Sequence, residues 1–364
     1  MSDPSIYGTR YCHFAGRRVL VTGHTGFKGS WLSLWLTQLG AQVTGYALPL
    51  VGENSHFDQL GLAGEIDHHV GDIRDLGAFS AVVRAAQPEI VFHLAAQALV
   101  RRSYGDPLET FTTNVTGGAN VLEAVRLTPS VKALVFITSD KAYENKEWVW
   151  GYRESDELGG KDPYSASKAA AEIVFRAYNE SFFRRRSGFG AATTRAGNVI
   201  GGGDWSEDRL IPDCIRALKK DMPIILRNPS ATRPWQFVLE PLSGYLELAL
   251  ALLDRPEEFS GSWNFGPSSG RFLTVEQVAN RVVKHWGAGS IRLEVDPGAA
   301  HEARLLHLSI DKALARLKWR PTYSGVQAID VTTRWYKLQH EGVSTRETSL
   351  RQIAEFVSAG QHGD

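Results

Sequence analysis

Short apolar runs and helix-like stretches alternate through the first half of the chain. The apolar runs predict buried strands at four places, Arg18–Thr22, Gln42–Ala47, Ile90–Leu94 and Ala133–Thr138. Apolar residues at helical spacing predict helices between them, at Ser30–Leu39, Gly77–Ala86 and Ala119–Leu127. Because strands alternate with helices, we predict an α/β fold, a doubly wound parallel sheet covered by helices on both faces.

The pattern becomes less regular after about residue 200. A glycine-rich loop begins at Gly201–Gly203, and the later segments are richer in proline and tryptophan. We therefore divide the chain into residues 1–200, a sheet domain that carries the reacting residues, and residues 201–364, a smaller substrate-binding lobe. Open α/β sheets bind ligands at their carboxyl edge, where we expect this lobe to close. The boundary is approximate, and the chain is free to cross between the two parts.

Composition narrows the class of protein. Lys+Arg and Asp+Glu both number 40, which gives no global charge to attract nucleic acid or a membrane surface. The segment Met1–Phe14 lacks the apolar core of a signal peptide, and no later apolar stretch is long enough to span a bilayer. Cys12 and Cys214 are too few for a disulfide framework. These features predict a soluble cytoplasmic protein, and we expect no metal site.

A glycine-rich turn, Gly23–Gly29, joins the first predicted strand to the first helix, with glycines at G-x-x-G-x-x-G spacing. Such glycines allow a tight turn, close approach of a pyrophosphate and close helix–strand packing. The helix N-terminus adds unpaired N–H groups and a positive dipole. A Walker phosphate loop is excluded, because Phe27 precedes Lys28 and Gly29 follows it. We therefore predict a Rossmann dinucleotide site with contacts from Gly23, Thr25, Gly26, Phe27, Lys28 and Gly29.

Other strand ends supply further cofactor candidates. Asp72 and Ile73 follow the probable third strand, where an acid can bind the adenine amino group. The fourth strand ends in Leu94, Ala95, Ala96 and Gln97, where the small alanines would let a cofactor lie against the backbone. The second strand ends Tyr46–Pro49, with neither the usual acid for the adenosine ribose nor an arginine for a 2′-phosphate. We predict NAD rather than NADP.

A second motif predicts the reacting groups. Asp162 is a good N-cap and Pro163 a good first helical residue, so Tyr164 and Lys168 should lie one turn apart on one helix face. A nearby ammonium and an oxidised nicotinamide should lower the pKa of tyrosine from its usual value near 10. Tyr164 is then the predicted base, Lys168 also holds the nicotinamide ribose, and Ser139 hydrogen-bonds the reacting oxygen.

The glycine turn together with Ser139, Tyr164 and Lys168 resembles the extended short-chain dehydrogenase/reductase superfamily over essentially the whole chain. Within it, Asp140 and Lys141 stand where sugar-nucleotide 4,6-dehydratases carry an acid and a second polar residue. The dTDP-glucose enzymes have Thr-Asp-Glu, whereas Ser-Asp-Lys resembles the branch that acts on CDP-glucose. Four longer segments share this resemblance: Gly23–Leu36, Trp148–Lys168, Arg195–Trp205 and Asn228–Leu242.

The resemblance implies a mechanism and a substrate site. Tyr164 would take the C4 hydroxyl proton while hydride passes to NAD, Lys141 would take the C5 proton, and Asp140 would protonate the departing C6 hydroxyl. Hydride would then return to C6, so that the net reaction is loss of water, as in deoxysugar biosynthesis. The resemblance also implies a homodimer or a higher homo-oligomer. Pyrophosphate contacts are expected from Asn198 and Arg233, with Arg227 and Arg304 as weaker candidates.

Several alternatives stay open. The chain could be a 4-epimerase, or a 4,6-dehydratase of a dTDP-, GDP- or UDP-sugar, although an epimerase does not need Asp140 and Lys141. A non-catalytic, dinucleotide-sensing regulator is a further alternative, but such proteins typically lose the Tyr or the Lys. Lys141 could also simply form an ion pair with Asp140 or with another nearby acid. The run Arg184–Arg186, near a predicted helix end, is interpreted as structural.

Overall fold

A parallel sheet of seven strands lies at the centre of the computed structural model, which describes residues 6, 9–50, 55–268, 272–294 and 305–361. The strands of the described chain are β1 (Arg18–Thr22), β2 (Gln42–Ala47), β3 (Asp67–Val70), β4 (Ile90–His93), β5 (Ala133–Ile137), β6 (Gly190–Ala196), β7 (Val199–Ile200), β8 (Ile224–Leu226), β9 (Gln236–Phe237), β10 (Gly261–Phe265) and β11 (Ile291–Leu293). The order across the sheet is β3-β2-β1-β4-β5-β6-β10. Two small parallel pairs, β7 with β9 and β8 with β11, lie outside it.

Helices connect these strands. They are α1 (Phe27–Gln38), α2 (His56–Gln59), α3 (Leu76–Ala86), α4 (Val100–Gly105), α5 (Pro107–Phe111), α6 (Gly118–Arg126), α7 (Pro163–Ser181), α8 (Leu210–Lys219), α9 (Leu239–Asp254), α10 (Pro256–Phe259), α11 (Val275–Trp286), α12 (Gly325–His340) and α13 (Thr345–Gln361). The four predicted strands agree to within one residue. Helix α1 begins three residues earlier than predicted, because Gly26, in an extended conformation, is its N-cap.

Both faces of the sheet are covered, as the alternation of side chains in a strand requires. In β5, Val135 packs into one apolar core, which also contains Trp31 and Trp35 of α1. Its neighbour Phe136 packs into the other core, on the opposite face, with Phe175 of α7. The predicted doubly wound α/β fold is confirmed.

The chain after residue 200 contributes to the same sheet. Strand β10 pairs with β6, and helix α9 packs against β5 and β6. The C-terminal helix α13 returns to the first half of the chain, where Thr345 donates a hydrogen bond to Gln59. The division into residues 1–200 and 201–364 therefore stays a prediction. That division allowed the chain to cross between the two parts, and β10 and α13 are such crossings. Among the described helices, none combines the length and apolarity that a bilayer-spanning segment requires.

Candidate active site

Parallel strands bring the predicted site residues to one edge of the sheet. The carboxyl ends of β1, β4, β5 and β6 lie side by side, since these strands pair in register. The glycine turn follows β1, and Leu94 follows β4. Ser139 lies two residues beyond β5, and Asn198 lies two residues beyond β6. The fold therefore places residues from four separate segments around one region.

The glycine turn has the close backbone contacts that the spacing predicts. Gly23 adopts a positive φ of 71°, and a Cβ there would lie 2.8 Å from the backbone nitrogen of Ala95. A Cβ on Gly29 would lie 2.0 Å from the carbonyl oxygen of Gly23, which is closer than any side chain allows. Thr22 fastens the turn to β4, because its Oγ1 accepts a hydrogen bond from Ala95 N at 3.2 Å. Only glycine fits at Gly23 and Gly29.

The same turn has the features of a dinucleotide site. The N-cap of α1 is the exposed Gly26, which makes no side-chain capping bond, so the first helical N–H groups are open to an anion. A cavity of about 850 Å³ begins at Thr25 and Phe27 and extends past Leu48 and Pro49, at the end of β2. This volume falls within the range of ligand pockets. The residues present fit a dinucleotide.

The remaining cofactor candidates differ in burial and in whether their side chains are already hydrogen-bonded within the protein. Both carboxylate oxygens of Asp72 accept hydrogen bonds from Arg74, which hold the pKa of that carboxyl below its usual range. Ile73 is buried. The Gln97 side chain is occupied within its own loop, with bonds to Leu99 and Thr110. Leu94, Ala95 and Ala96 are half-buried and so remain open to contact.

Ser139, Asp140 and Lys141 form one tight turn. Ser139 is the N-cap of the short 3₁₀ turn Asp140–Ala142, and its Oγ accepts a bond from Lys141 N at 3.2 Å. The same Oγ donates to Asp140 Oδ1 at 2.9 Å. Burial raises the pKa of Asp140, while the Lys141 ammonium opposes that rise. No described carboxylate lies within 4.0 Å of that ammonium, so the ion pair considered for Lys141 is not formed.

Helix α7 begins as predicted. Asp162 caps it by accepting a bond from Ser165 N at 3.0 Å, and Pro163 is its first residue. Tyr164 and Lys168 are both buried, with 8% and 6% of their surface exposed. The Ser139 hydroxyl lies beside Tyr164 and acts to lower the pKa of its phenol, so the two motifs are close to each other. The structure therefore brings Ser139, Tyr164 and Lys168 together.

The pKa of Tyr164 is not lowered in the protein alone, and the lowering predicted with an oxidised nicotinamide present stays a prediction. Burial raises the pKa of Tyr164 to about 12, although the nearby Ser139 hydroxyl and the Arg209 charge both act to lower it. Lys168 is not a strong cation here, because burial and the charge of Lys28 lower its own pKa to about 7. Removal from water disfavours the charged form of each group, and burial is the largest influence on both pKa values.

Two cations face this site. Arg209, at the N-cap of α8, pairs with Asp204 at 2.8 Å, and its charge lowers the pKa of Tyr164 and of Lys28. Burial lowers the pKa of Lys28 to about 8, and Lys28 Nζ donates to the Tyr245 hydroxyl at 3.3 Å. The sequence predicted Lys28 from the glycine turn. It gave no signal for Arg209, which belongs to no recognisable motif.

Asn114 is a second residue that sequence reasoning missed. It lies in a π-helical segment, Thr112–Gly117, between α5 and α6. Its Oδ1 accepts a bond from Gln97 N at 2.8 Å, and its Nδ2 donates to Ser167 Oγ at 2.8 Å. Ser167 in turn donates to the carbonyl of Tyr164 at 2.7 Å. Asn114 thus links the end of β4 to α7.

The predicted substrate-binding residues differ in where they lie relative to the Ser139–Lys141 turn, which we call the reacting turn. Asn198 is half-buried at the end of β6. Arg233 is also half-buried, and its charge lowers the pKa of Asp140, which places the two residues near each other. Arg227 is exposed just beyond β8, and Arg304 lies outside the described residues. Arg233 and Asn198 are therefore the better placed pair.

Residues 20–332 match the GDP-mannose 4,6 dehydratase family over most of the chain. The chain belongs to this family. One member, the CDP-glucose 4,6-dehydratase of Salmonella typhimurium, is 47% identical over 348 residues, or 94% of this chain and 97% of that protein. The predicted resemblance to sugar-nucleotide 4,6-dehydratases is thereby confirmed.

Solved structures of family relatives share the fold. A dTDP-glucose 4,6-dehydratase from Streptomyces venezuelae, determined with NAD bound, has a TM-score of 0.75 and 25% identity, covering 90% of this chain and 98% of that one. A UDP-glucose 4-epimerase from Thermus thermophilus, determined as a complex with NAD, has a TM-score of 0.74 and 27% identity, covering 88% and 99%. Dehydratases and epimerases thus use one scaffold, so the reaction must be argued from the site.

Proposed function

We propose that the chain catalyses the NAD-dependent dehydration of CDP-D-glucose to CDP-4-dehydro-6-deoxy-D-glucose. The observation that carries this proposal is the joining of two motifs in one place. Ser139 lies beside Tyr164 and donates a hydrogen bond to the Asp140 carboxyl, an arrangement that supports a shared substrate position for the oxidation and elimination groups. The 47% identity to the Salmonella enzyme supports CDP-glucose as the substrate.

The first step is oxidation at C4. Bound NAD supplies the acceptor for the C4 hydride and, once reduced, the donor for C6. Tyr164 takes the C4 hydroxyl proton, and Ser139 holds the reacting oxygen by a hydrogen bond. Ser139 and Arg209 both favour the phenolate form of Tyr164, which the base must reach. Lys168 would hold the nicotinamide ribose, and the glycine turn would hold the pyrophosphate.

Elimination follows because the C4 carbonyl acidifies the C5 proton. Lys141, in its amine form, takes that proton, and the C5–C6 double bond forms as the C6–oxygen bond breaks. Asp140 gives the leaving hydroxyl its proton, so that water departs. Its raised pKa suits an acid, because burial favours the protonated carboxyl. Return of hydride to C6 and of a proton to C5 completes a net loss of water.

The nucleotide is held by local donors, since the chain has no net charge. Asn198 and Arg233 are assigned to the pyrophosphate, because both lie near the reacting turn. Arg209 extends this cationic surface toward Tyr164. Charge-assisted hydrogen bonds to phosphate are strong enough to position the sugar without a global field.

The test is conversion of a defined substrate. Purified chain is incubated with NAD and CDP-glucose, and the alkali-induced absorbance of a 4-keto-6-deoxy sugar is followed. We expect product from CDP-glucose, and much less from dTDP-, GDP- or UDP-linked sugars. Product from one of those sugars with none from CDP-glucose would reassign the nucleotide. Formation of CDP-galactose instead would show a 4-epimerase, and binding of NAD without any turnover would show a regulator.

We also infer a cytoplasmic homodimer. Four apolar side chains are exposed on helices that pack together, Tyr104 of α4, Leu108 and Phe111 of α5, and Ile173 of α7. A cluster of this kind is typical of a subunit interface. Cys12 and Cys214 are free thiols, which fits a reducing compartment. Light scattering should report a dimer, and Leu108→Asp should shift it toward monomer.

A further inference from the structure

A fully buried ion pair lies behind the reacting residues. The side chains of Glu172 on α7 and Arg195 on β6 are each only 2% exposed. Arg195 Nε and NH2 donate to the two oxygens of Glu172, each at 2.8 Å, in the parallel two-bond arrangement. The described carboxylates form no other ion pair as deeply buried.

The remaining polar atoms of this pair are also bonded. Thr138 and Thr193 donate hydroxyl bonds to the Glu172 oxygens at 2.5 and 2.8 Å. Arg195 donates further to the Tyr143 hydroxyl at 2.7 Å. Its last donors reach the Glu154 carbonyl at 3.2 Å and Ser262 Oγ at 3.1 Å. All five N–H groups of the guanidinium are thus used.

Each group in this network is close in sequence to a site residue. Thr138 directly precedes Ser139, and Tyr143 lies two residues beyond Lys141. Glu172 follows Lys168 by one helical turn, on the same face of α7. Arg195 lies three residues before Asn198. The network therefore ties together three segments that carry reacting and binding groups: the Ser139–Lys141 turn, α7 and the end of β6.

A buried ion pair commonly contributes little net free energy to the stability of a protein core. Its desolvation penalty commonly cancels its attraction, and apolar side chains of similar volume are often equally stabilising. Such a pair instead fixes the relative orientation of its two side chains, because two parallel hydrogen bonds set both the angle and the distance between guanidinium and carboxylate. Catalytic groups lose efficiency when displaced by about 1 Å.

We propose that Glu172 and Arg195 are positioning residues, which set the spacing between the Ser139–Lys141 turn and the Tyr164–Lys168 helix face. This inference rests on the proposed function, since it concerns the reaction assigned above. Neither side chain is exposed enough to touch substrate. Their effect should therefore be on the rate of the bound complex, not on binding.

The primary experiment compares kinetics of matched variants. Glu172→Gln keeps the shape but removes the charge, and we expect kcat to fall tenfold or more while KM stays within about twofold. Glu123→Gln breaks a similar two-bond pair with Arg126 on the surface of α6 and should change neither constant. Thr193→Val, which removes one donor to Glu172, should lower kcat about threefold.

A double variant separates positioning from stability. Glu172→Met with Arg195→Met replaces the pair by apolar side chains, so the thermal midpoint should recover relative to Glu172→Gln. A positioning role leaves kcat at least tenfold low in this folded protein, whereas recovery of kcat along with stability overturns the proposal. It is also overturned if every folded variant keeps kcat within twofold.

The unmodified chain is assayed first on CDP-glucose. If it fails to convert that substrate, the proposed function falls. If it and all variants convert the substrate alike, only the positioning role falls.

Discussion

The carboxyl edge of the sheet differs between its two sides. Beside β1 to β4 the edge is shaped mainly by backbone, as in the bond from Gly23 N to the Tyr46 carbonyl at 2.8 Å. Beside β5 and β6 it is shaped by charged and hydroxyl side chains, such as Asp140 and Arg195. The backbone side is suited to binding a ligand of fixed shape, whereas the side-chain side is suited to catalysing the reaction. Substitutions should therefore affect binding on one side and turnover on the other.

The largest effect is expected from Tyr164→Phe, on the side-chain side. Loss of the base should lower kcat about 10³-fold or more, within the range for general acid–base catalysis. The ring remains, so folding and NAD binding should be preserved. Steady-state kinetics with a parallel NAD titration measures both. Retained turnover would remove Tyr164 from the mechanism.

Gly29→Ala tests the backbone side. The new Cβ would meet the Gly23 carbonyl at 2.0 Å and His24 Cα at 2.7 Å, neither of which can move freely. We expect a loss of about 3 kcal/mol in stability, the upper end for overpacking, and weaker NAD binding. Gly64→Ala is the control, because a Cβ there meets nothing within 4 Å. Equal unfolding midpoints for the two variants would contradict the close contact.

Lys141→Ala separates the two halves of the reaction. Without its amine, oxidation at C4 should proceed while removal of the C5 proton slows about 10²-fold. Reduced nicotinamide should then accumulate, and its absorbance can be followed in a single turnover. Normal water loss in this variant would mean that another group takes the C5 proton.

The smallest expected effect is a loss of folding stability at acidic pH, caused by buried histidines on the backbone side. Burial lowers the pKa of His24 to about 4, and that of His56 and His93 to about 3. The unfolded chain, with histidine near 6.5, binds protons first, so stability falls as the pH drops below about 6.5.

Each of these histidines should cost about 2 kcal/mol by pH 5. Urea unfolding of the unmodified chain and of His93→Gln, at pH 7 and pH 5, measures the contribution of His93 to this loss of stability. The variant should lose about 2 kcal/mol less between the two pH values. An identical loss in both proteins would show that His93 does not titrate in this way.

The same division explains what the sequence could predict. The glycine turn and the start of α7 depend on residues within a few positions of one another, such as Asp162 and Ser165, and both were predicted correctly. Arg209 and Asn114 were missed because their roles arise from contacts between distant segments. The rise of the Tyr164 pKa in the protein alone was not foreseen, because spacing along a helix reports charge but not burial.

The π-helical segment Thr112–Gly117 also restricts how this chain can vary in length. A π turn contains one more residue than an α turn, so its loss would rotate all following side chains by about 100°. Val121, Leu122 and Val125, now fully buried, would then turn away from the sheet. A substitution along this helix changes one side chain, whereas a one-residue deletion would put its whole second half out of phase.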